Sequence, residues 1–78
     1  MILSKAEQIK NLRLIRRKEV QAKTGFGASS IYAEMAKGAF PKPIQISERR
    51  VAWIESEVDA WIAARIESRD ANMSMAGV

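Results

Sequence analysis

The sequence predicts a mainly α domain carrying a small β-hairpin wing, a winged helix-turn-helix. Three observations carry this prediction. Two short helical patterns, Arg17–Lys23 and Ala28–Lys37, flank a tight glycine-bearing turn at Thr24-Gly25-Phe26-Gly27. Two alternating segments, Pro43–Ile46 and Val51–Ile54, flank the polar, turn-like Ser47-Glu48-Arg49-Arg50. Ser56-Glu57-Val58-Asp59 then opens a final helix with a serine cap, an acidic residue at N3 and negative charge in the first turn.

Taken along the chain, Ser4-Lys5-Ala6-Glu7 reads as a capping box for a short helix near Lys5–Lys10. Leu12–Ile15 reads as a short extended segment. The Arg17–Lys23 helix buries Val20, and Gly25 stands where a left-handed C-terminal cap is wanted. Phe26 is the apolar plug between the helices, and Gly27 is a permissible N-cap for the next one. There Ile31 and Met35 face the core at i, i+4 spacing, and Gly38 ends the helix. Phe40-Pro41-Lys42-Pro43 cannot continue a helix, because proline lacks the amide hydrogen and restricts its predecessor. Ser56 caps the last helix, which keeps Val58, Trp61, Ile62, Arg65 and Ile66 on one face to about Arg69. The expected core is Val20, Phe26, Ile31, Met35, Phe40, Ile44, Ile46, Val51, Trp53, Val58, Trp61 and Ile62. Residues 1–12 form an N-terminal arm, 13–70 the domain and 71–78 a flexible tail.

Size and composition narrow the function. A chain of 78 residues makes one small domain, without room for a deep catalytic cleft. Neither cysteine nor histidine is present, which excludes disulfides, thiolate or imidazole zinc sites and histidine proton shuttles. Glycine-rich phosphate loops, metal-ligand spacings and activated nucleophiles are missing as well. The sequence therefore predicts a non-enzyme with no cofactor and no metal. Met1-Ile2-Leu3 is too short for the apolar region of a signal peptide, and no run approaches a membrane span, so the expected compartment is the cytoplasm.

The net charge of +4 favours a polyanionic partner, and its distribution says more. Eleven of the thirteen basic residues precede Val51, whereas Glu55, Glu57, Asp59, Glu67 and Asp70 lie beyond it. One electropositive face is expected, with the last helix turned away. Ala28, Ser29, Ser30, Tyr32, Ala33 and Lys37 lie beside or opposite the apolar stripe of the second helix, where a recognition helix needs donors and small residues. Arg16, Arg17 and Lys18 open the preceding helix, which in this motif crosses the phosphate backbone; a solvated surface explains the triplet nearly as well. Lys42 precedes the wing. Arg49 and Arg50 at the hairpin tip can reach phosphates or a narrow minor groove, and strand alternation turns one of them back to pair with Glu48 or Glu55. Trp53 and Trp61 are read as core rather than as base-stacking platforms. Glu55, Glu57 and Asp59 are read as capping and dipole compensation rather than as a catalytic or magnesium cluster.

Arg17-Lys18-Glu19-Val20, Thr24-Gly25-Phe26, Ser29-Ser30-Ile31-Tyr32, Gly38-Ala39-Phe40-Pro41-Lys42-Pro43, Arg49-Arg50-Val51-Ala52-Trp53 and Glu55–Ile62 together resemble the AlpA family. The resemblance spans roughly Leu14–Arg65. It implies a MerR-like winged helix that binds double-stranded DNA at repeated sites for a prophage or integrative island, as an excisionase, a regulator of the integrase gene, or both. By matching positions, Ser29, Ser30 and Tyr32 fall on the recognition helix and Arg49 on the wing. The chain departs from the family pattern at Gly27, where serine is usual, and at Ala28 and Ala33, where arginine is common. A bidentate arginine–guanine pair contributes roughly 1–3 kcal/mol of discrimination, so site preference is expected to lean on shape and backbone contacts. MerR regulators proper continue into a long dimerisation helix and an effector domain. The expectation here is a solution monomer that assembles cooperatively on DNA, with an integrase as a further partner. The alternative is an inhibitor module that binds protein through the acidic last helix.

Overall fold

The computed structural model describes residues 12–75. Its elements, in order, are β1 (Leu14–Ile15), α1 (Arg17–Thr24), α2 (Ala28–Ala36), β2 (Ile44–Ser47), β3 (Arg50–Ile54) and α3 (Glu55–Met75). Three helices and a three-stranded antiparallel sheet of order β1-β3-β2 make a mainly α, winged-helix-like arrangement. The helix predicted near Lys5–Lys10 lies outside the described residues.

The turn between α1 and α2 has the expected chemistry. Gly25 adopts φ 78°, ψ 2°, and its N–H donates to the Gln21 carbonyl at 2.8 Å. The Thr24 hydroxyl donates to the Val20 carbonyl and accepts from the Phe26 N–H, which fixes the chain's exit toward Phe26. Gly27 sits extended at the start of α2. Gly38, at φ 75°, stops the helix after Lys37.

Ile15, Val20, Ile31, Phe40, Trp53 and Val58 form the buried cluster, with Phe26, Met35, Trp61 and Ile62 packed against it. Phe26, Phe40 and Trp61 meet edge to face or tilted, with ring centroids 4.9 to 6.3 Å apart. Both indoles satisfy their N–H groups on the proline-bearing connection. Trp53 donates to the Pro41 carbonyl at 3.0 Å and Trp61 to the Ala39 carbonyl at 2.7 Å. The helix has already ended at Gly38, so these carbonyls are free to accept.

The structure corrects four expectations. Ile44, Ile46 and Val51 are 42%, 44% and 37% exposed rather than core. Alternation identifies which residues share a face of a hairpin, but not whether another layer covers that face. Ile15 and Ala52, not expected in the core, are each 1% exposed. Ser56 does not cap α3, because β3 runs directly into a helix that begins at Glu55. That helix also continues past Arg69 to Met75, since Ala71-Asn72-Met73 contains neither glycine nor proline to stop it.

Glu55 does more than the sequence led one to expect. It stands in the acidic first turn of α3, as expected, but its side chain is also buried and accepts from Arg13 Nη1 at 2.8 Å and Lys23 Nζ at 3.0 Å. Its N–H, one of those left over at a helix start, donates to the Arg13 carbonyl at 2.8 Å. Lys23 also meets Asp59 Oδ1 at 2.8 Å, and Arg13 reaches Glu19 at 3.1 Å. One carboxylate thus joins the strand before the helix-turn-helix, the end of α1 and the start of α3. Charge-assisted hydrogen bonds of this kind contribute about 1.5–3 kcal/mol each. Glu55→Gln is therefore expected to lower unfolding stability by about 2 kcal/mol in urea titrations.

The Asp59 and Glu55 carboxylates, in that order, raise the pKa of Lys23 above the ordinary 10.5, against a small opposing effect of burial. A folded-state pKa above the unfolded one stabilises fully below the unfolded value and is lost as pH rises through the folded value. Thermal unfolding of the wild type should thus lose stability on the alkaline side of 10.5. Lys23→Met should start from a lower midpoint at neutral pH and lack that part of the alkaline decline.

Candidate nucleic-acid interface

The pairing of β1 with β3 sets the geometry of the charged face. Leu14 lies opposite Ile54 and Ile15 opposite Trp53, so Arg16 emerges beside the base of the β2–β3 wing. α1 begins at once, and its first turn turns Arg17 and Lys18 outward, exposed. From the other side, the wing carries Arg49 in its turn and Val51 on β3. Tyr32, 45% exposed on α2, closes the third side. Arg16, Arg17, Lys18, Tyr32, Arg49 and Val51 line one shallow cleft of about 440 Å³.

Charge pairing divides the cations of the described residues. Arg13, Lys23, Lys37 and Arg69 all have carboxylate partners. Among the described residues, Arg16, Arg17, Lys18 and Arg49 have none, and no carboxylate lines the cleft. Four cations within one concavity, without carboxylate partners among the described residues, give it a positive potential.

The remaining candidates lie around this cleft. α2 turns Ile31 inward with Ala28 and Met35 half-buried beside it, and exposes Ser29, Ser30, Tyr32, Ala33, Ala36 and Lys37. Ser29, Ser30 and Ala33 thus lie on the open face of α2, whereas Ala28 turns toward the body. Lys37 pairs with Glu34 at 3.3 Å and stands at the far end of that helix. Lys42 is exposed on the connection to β2, outside the cleft. Alternation along β3 separates the two wing arginines: Val51 faces the cleft, so Arg50 turns the other way while Arg49 enters. Neither pairs with Glu48 or Glu55. Val51 is the lining residue that sequence reasoning missed, because an apolar residue in an alternating strand reads as core.

With this geometry in place, similarity to known proteins becomes informative. The family model described as prophage CP4-57 regulatory protein (AlpA) matches residues 13–66, which contain β1, α1, α2, β2, β3 and the first part of α3. The chain belongs to the AlpA family. It is 42% identical over 57 residues to the uncharacterized protein ORF88 of Enterobacteria phage P4, covering 73% of this chain and 65% of that protein. It is also 32% identical over 60 residues to the DNA-binding transcriptional activator AlpA of Escherichia coli (strain K12), covering 69% of this chain and 86% of the relative. The chain thus spans slightly under two thirds of its phage relative and most of its bacterial one. Among the described residues, no helix is long and apolar enough to cross a membrane, and no cluster of acidic side chains is arranged to hold a metal ion.

Proposed function

We propose that this AlpA-family chain binds duplex DNA and regulates a prophage or integrative island, controlling the integrase promoter and serving as a directionality factor in excision. The observation that carries the proposal is the cleft of unpaired cations built by α1, α2 and the wing. Phosphates of one strand fit against Arg16, Arg17 and Lys18, while Arg49 follows the adjacent groove. Tyr32 offers an apolar ring and a hydroxyl between them.

α2 supports this reading through what it lacks as well as what it presents. Gly27 makes no side-chain cap bond, so the first-turn N–H groups of α2 are left to an external acceptor such as a phosphate oxygen. Ser29 and Ser30 add hydroxyl donors, and Ala33 lets the helix approach base edges closely. With no arginine on that face, the reading helix supplies fit rather than strong base discrimination. Sequence preference then rests on groove shape and on contacts to the backbone. Binding of single copies at repeated sites, reinforced between neighbours, follows from so small a contact surface. The name of the bacterial relative supports promoter control. The excision role and an integrase as partner rest on the family resemblance.

Binding to a short duplex should weaken steeply with salt. Arg49→Ala is expected to reduce affinity several-fold and lower the salt slope by about 1, as for a lost phosphate contact. Arg50→Ala, outside the cleft, is expected to change both less. Fluorescence anisotropy across a salt series reads both quantities, and equal losses for the two variants would count against the cleft. DNase footprinting across the element's attachment region and integrase promoter, paired with an excision assay, tests the biological role. Protection at both places with dependence of excision on the protein is the expected result. Protection with excision unchanged would leave promoter control alone.

A further inference from the structure

A second concavity lies at the opposite end of α1 from the cationic cleft. α1 is eight residues long, about 12 Å, with Arg17 and Lys18 in the cleft at its start and Lys23 in this groove at its end. The groove has a volume of about 330 Å³ and shares no lining residue with the cleft. Its apolar floor is Phe26, Trp61, Ile62 and Ile66, of which Ile66 is 46% exposed. Its charged rim is Lys23, Arg65 and Arg69, with no carboxylate among the lining residues.

The three cations differ in how far they are satisfied. Lys23 is held from the body by Glu55 and Asp59, and Arg69 by its neighbour Asp70. Arg65 has no carboxylate partner among the described residues, and its guanidinium carbon lies 5.6 Å from the centroid of the Trp61 ring. A guanidinium seated over an indole keeps its planar fork of N–H donors free at the edge, the geometry that grips a carboxylate with two parallel bonds. Beyond Ile62, α3 is exposed on every side through Asn72, so the groove opens along a helix with room beside it.

We propose that this groove docks an acidic amphipathic helix of a partner protein while DNA occupies the cleft. An apolar anchor on the partner fills the space over Phe26 and Ile66, and a carboxylate one turn away meets Arg65. A nucleic-acid backbone offers charge without an apolar anchor for this floor. The polarity is the reverse of the one expected from the acidic residues of the last helix: the groove presents the cations of α3, and Asp70 is already paired to Arg69.

The test uses the whole chain and three probes: a short helical peptide of Leu and Glu in amphipathic spacing, its Leu/Lys counterpart, and a short DNA duplex. Amide and indole NMR signals of Phe26, Trp61, Arg65 and Ile66 should shift saturably with the Leu/Glu peptide. Arg65→Glu, an exposed substitution whose spectrum elsewhere reports an intact fold, should weaken that binding at least tenfold. The Leu/Lys peptide should leave the groove signals in place, and DNA should move Arg17, Tyr32 and Arg49 instead. Absence of shifts with the Leu/Glu peptide, or equal binding of the two peptides, overturns the proposal. Movement of the groove signals by DNA would assign the groove to the nucleic-acid surface and overturn it equally. Because the cleft signals are read separately, a failure here is distinguishable from a failure of DNA binding.

Discussion

The buried carboxylate of Glu55 ties the structure together. It accepts from Arg13 on the chain entering β1 and from Lys23 at the end of α1, while its own N–H donates to the Arg13 carbonyl. The helix-turn-helix is also joined to the wing and α3 by apolar packing around Trp53, a two-residue strand pairing, the Lys23–Asp59 ion pair and two indole hydrogen bonds. Apolar packing is non-directional, and so short a strand pairs by few hydrogen bonds. Directional, charge-assisted bonds at the junction therefore fix how Arg16–Lys18 stand relative to Arg49.

The same logic divides the cations of this basic chain between structure and binding. Arg13 and Lys23 are consumed internally by Glu55, Glu19 and Asp59; Lys37 and Arg69 are matched locally by Glu34 and Asp70. Of the cations without a carboxylate partner among the described residues, Arg16, Arg17, Lys18 and Arg49 share the cleft, Arg65 stands on the second groove, and Lys42 and Arg50 lie outside both. Net charge alone, at +4, would not have separated these populations. Family membership agrees with a chain whose chemistry lies in what it grips, and the proposed grip rests on the unpaired cations of the cleft.

Much of this was legible in the sequence because it depends on local signals. Gly25, Gly38 and the Pro41/Pro43 pair mark where helices stop, and Ile31 with Met35 marks the inward face of α2. Arg49 was singled out by its place on a tip. What was not legible depends on contacts distant in sequence. Glu55 meets partners 42 and 32 residues away, so nothing local distinguishes it from Glu57. β1 is two residues long, too short to show a period, and the burial of Ile15 follows from that pairing alone. Ile44, Ile46 and Val51 carry a valid alternation on a hairpin that extends beyond the core, and Val51 thereby becomes part of the cleft wall.

The central claim is that the cleft is preformed and held by the Glu55 junction. A distance measurement between spin labels placed at Lys18 and Glu48, across the cleft, tests it most directly. The account predicts a single narrow distribution in the free protein, retained on adding duplex DNA, and a broadened one when Glu55 is replaced by Gln. A broad distribution in the free wild type that narrows only with DNA, or a distribution that Glu55→Gln leaves unchanged, would contradict it.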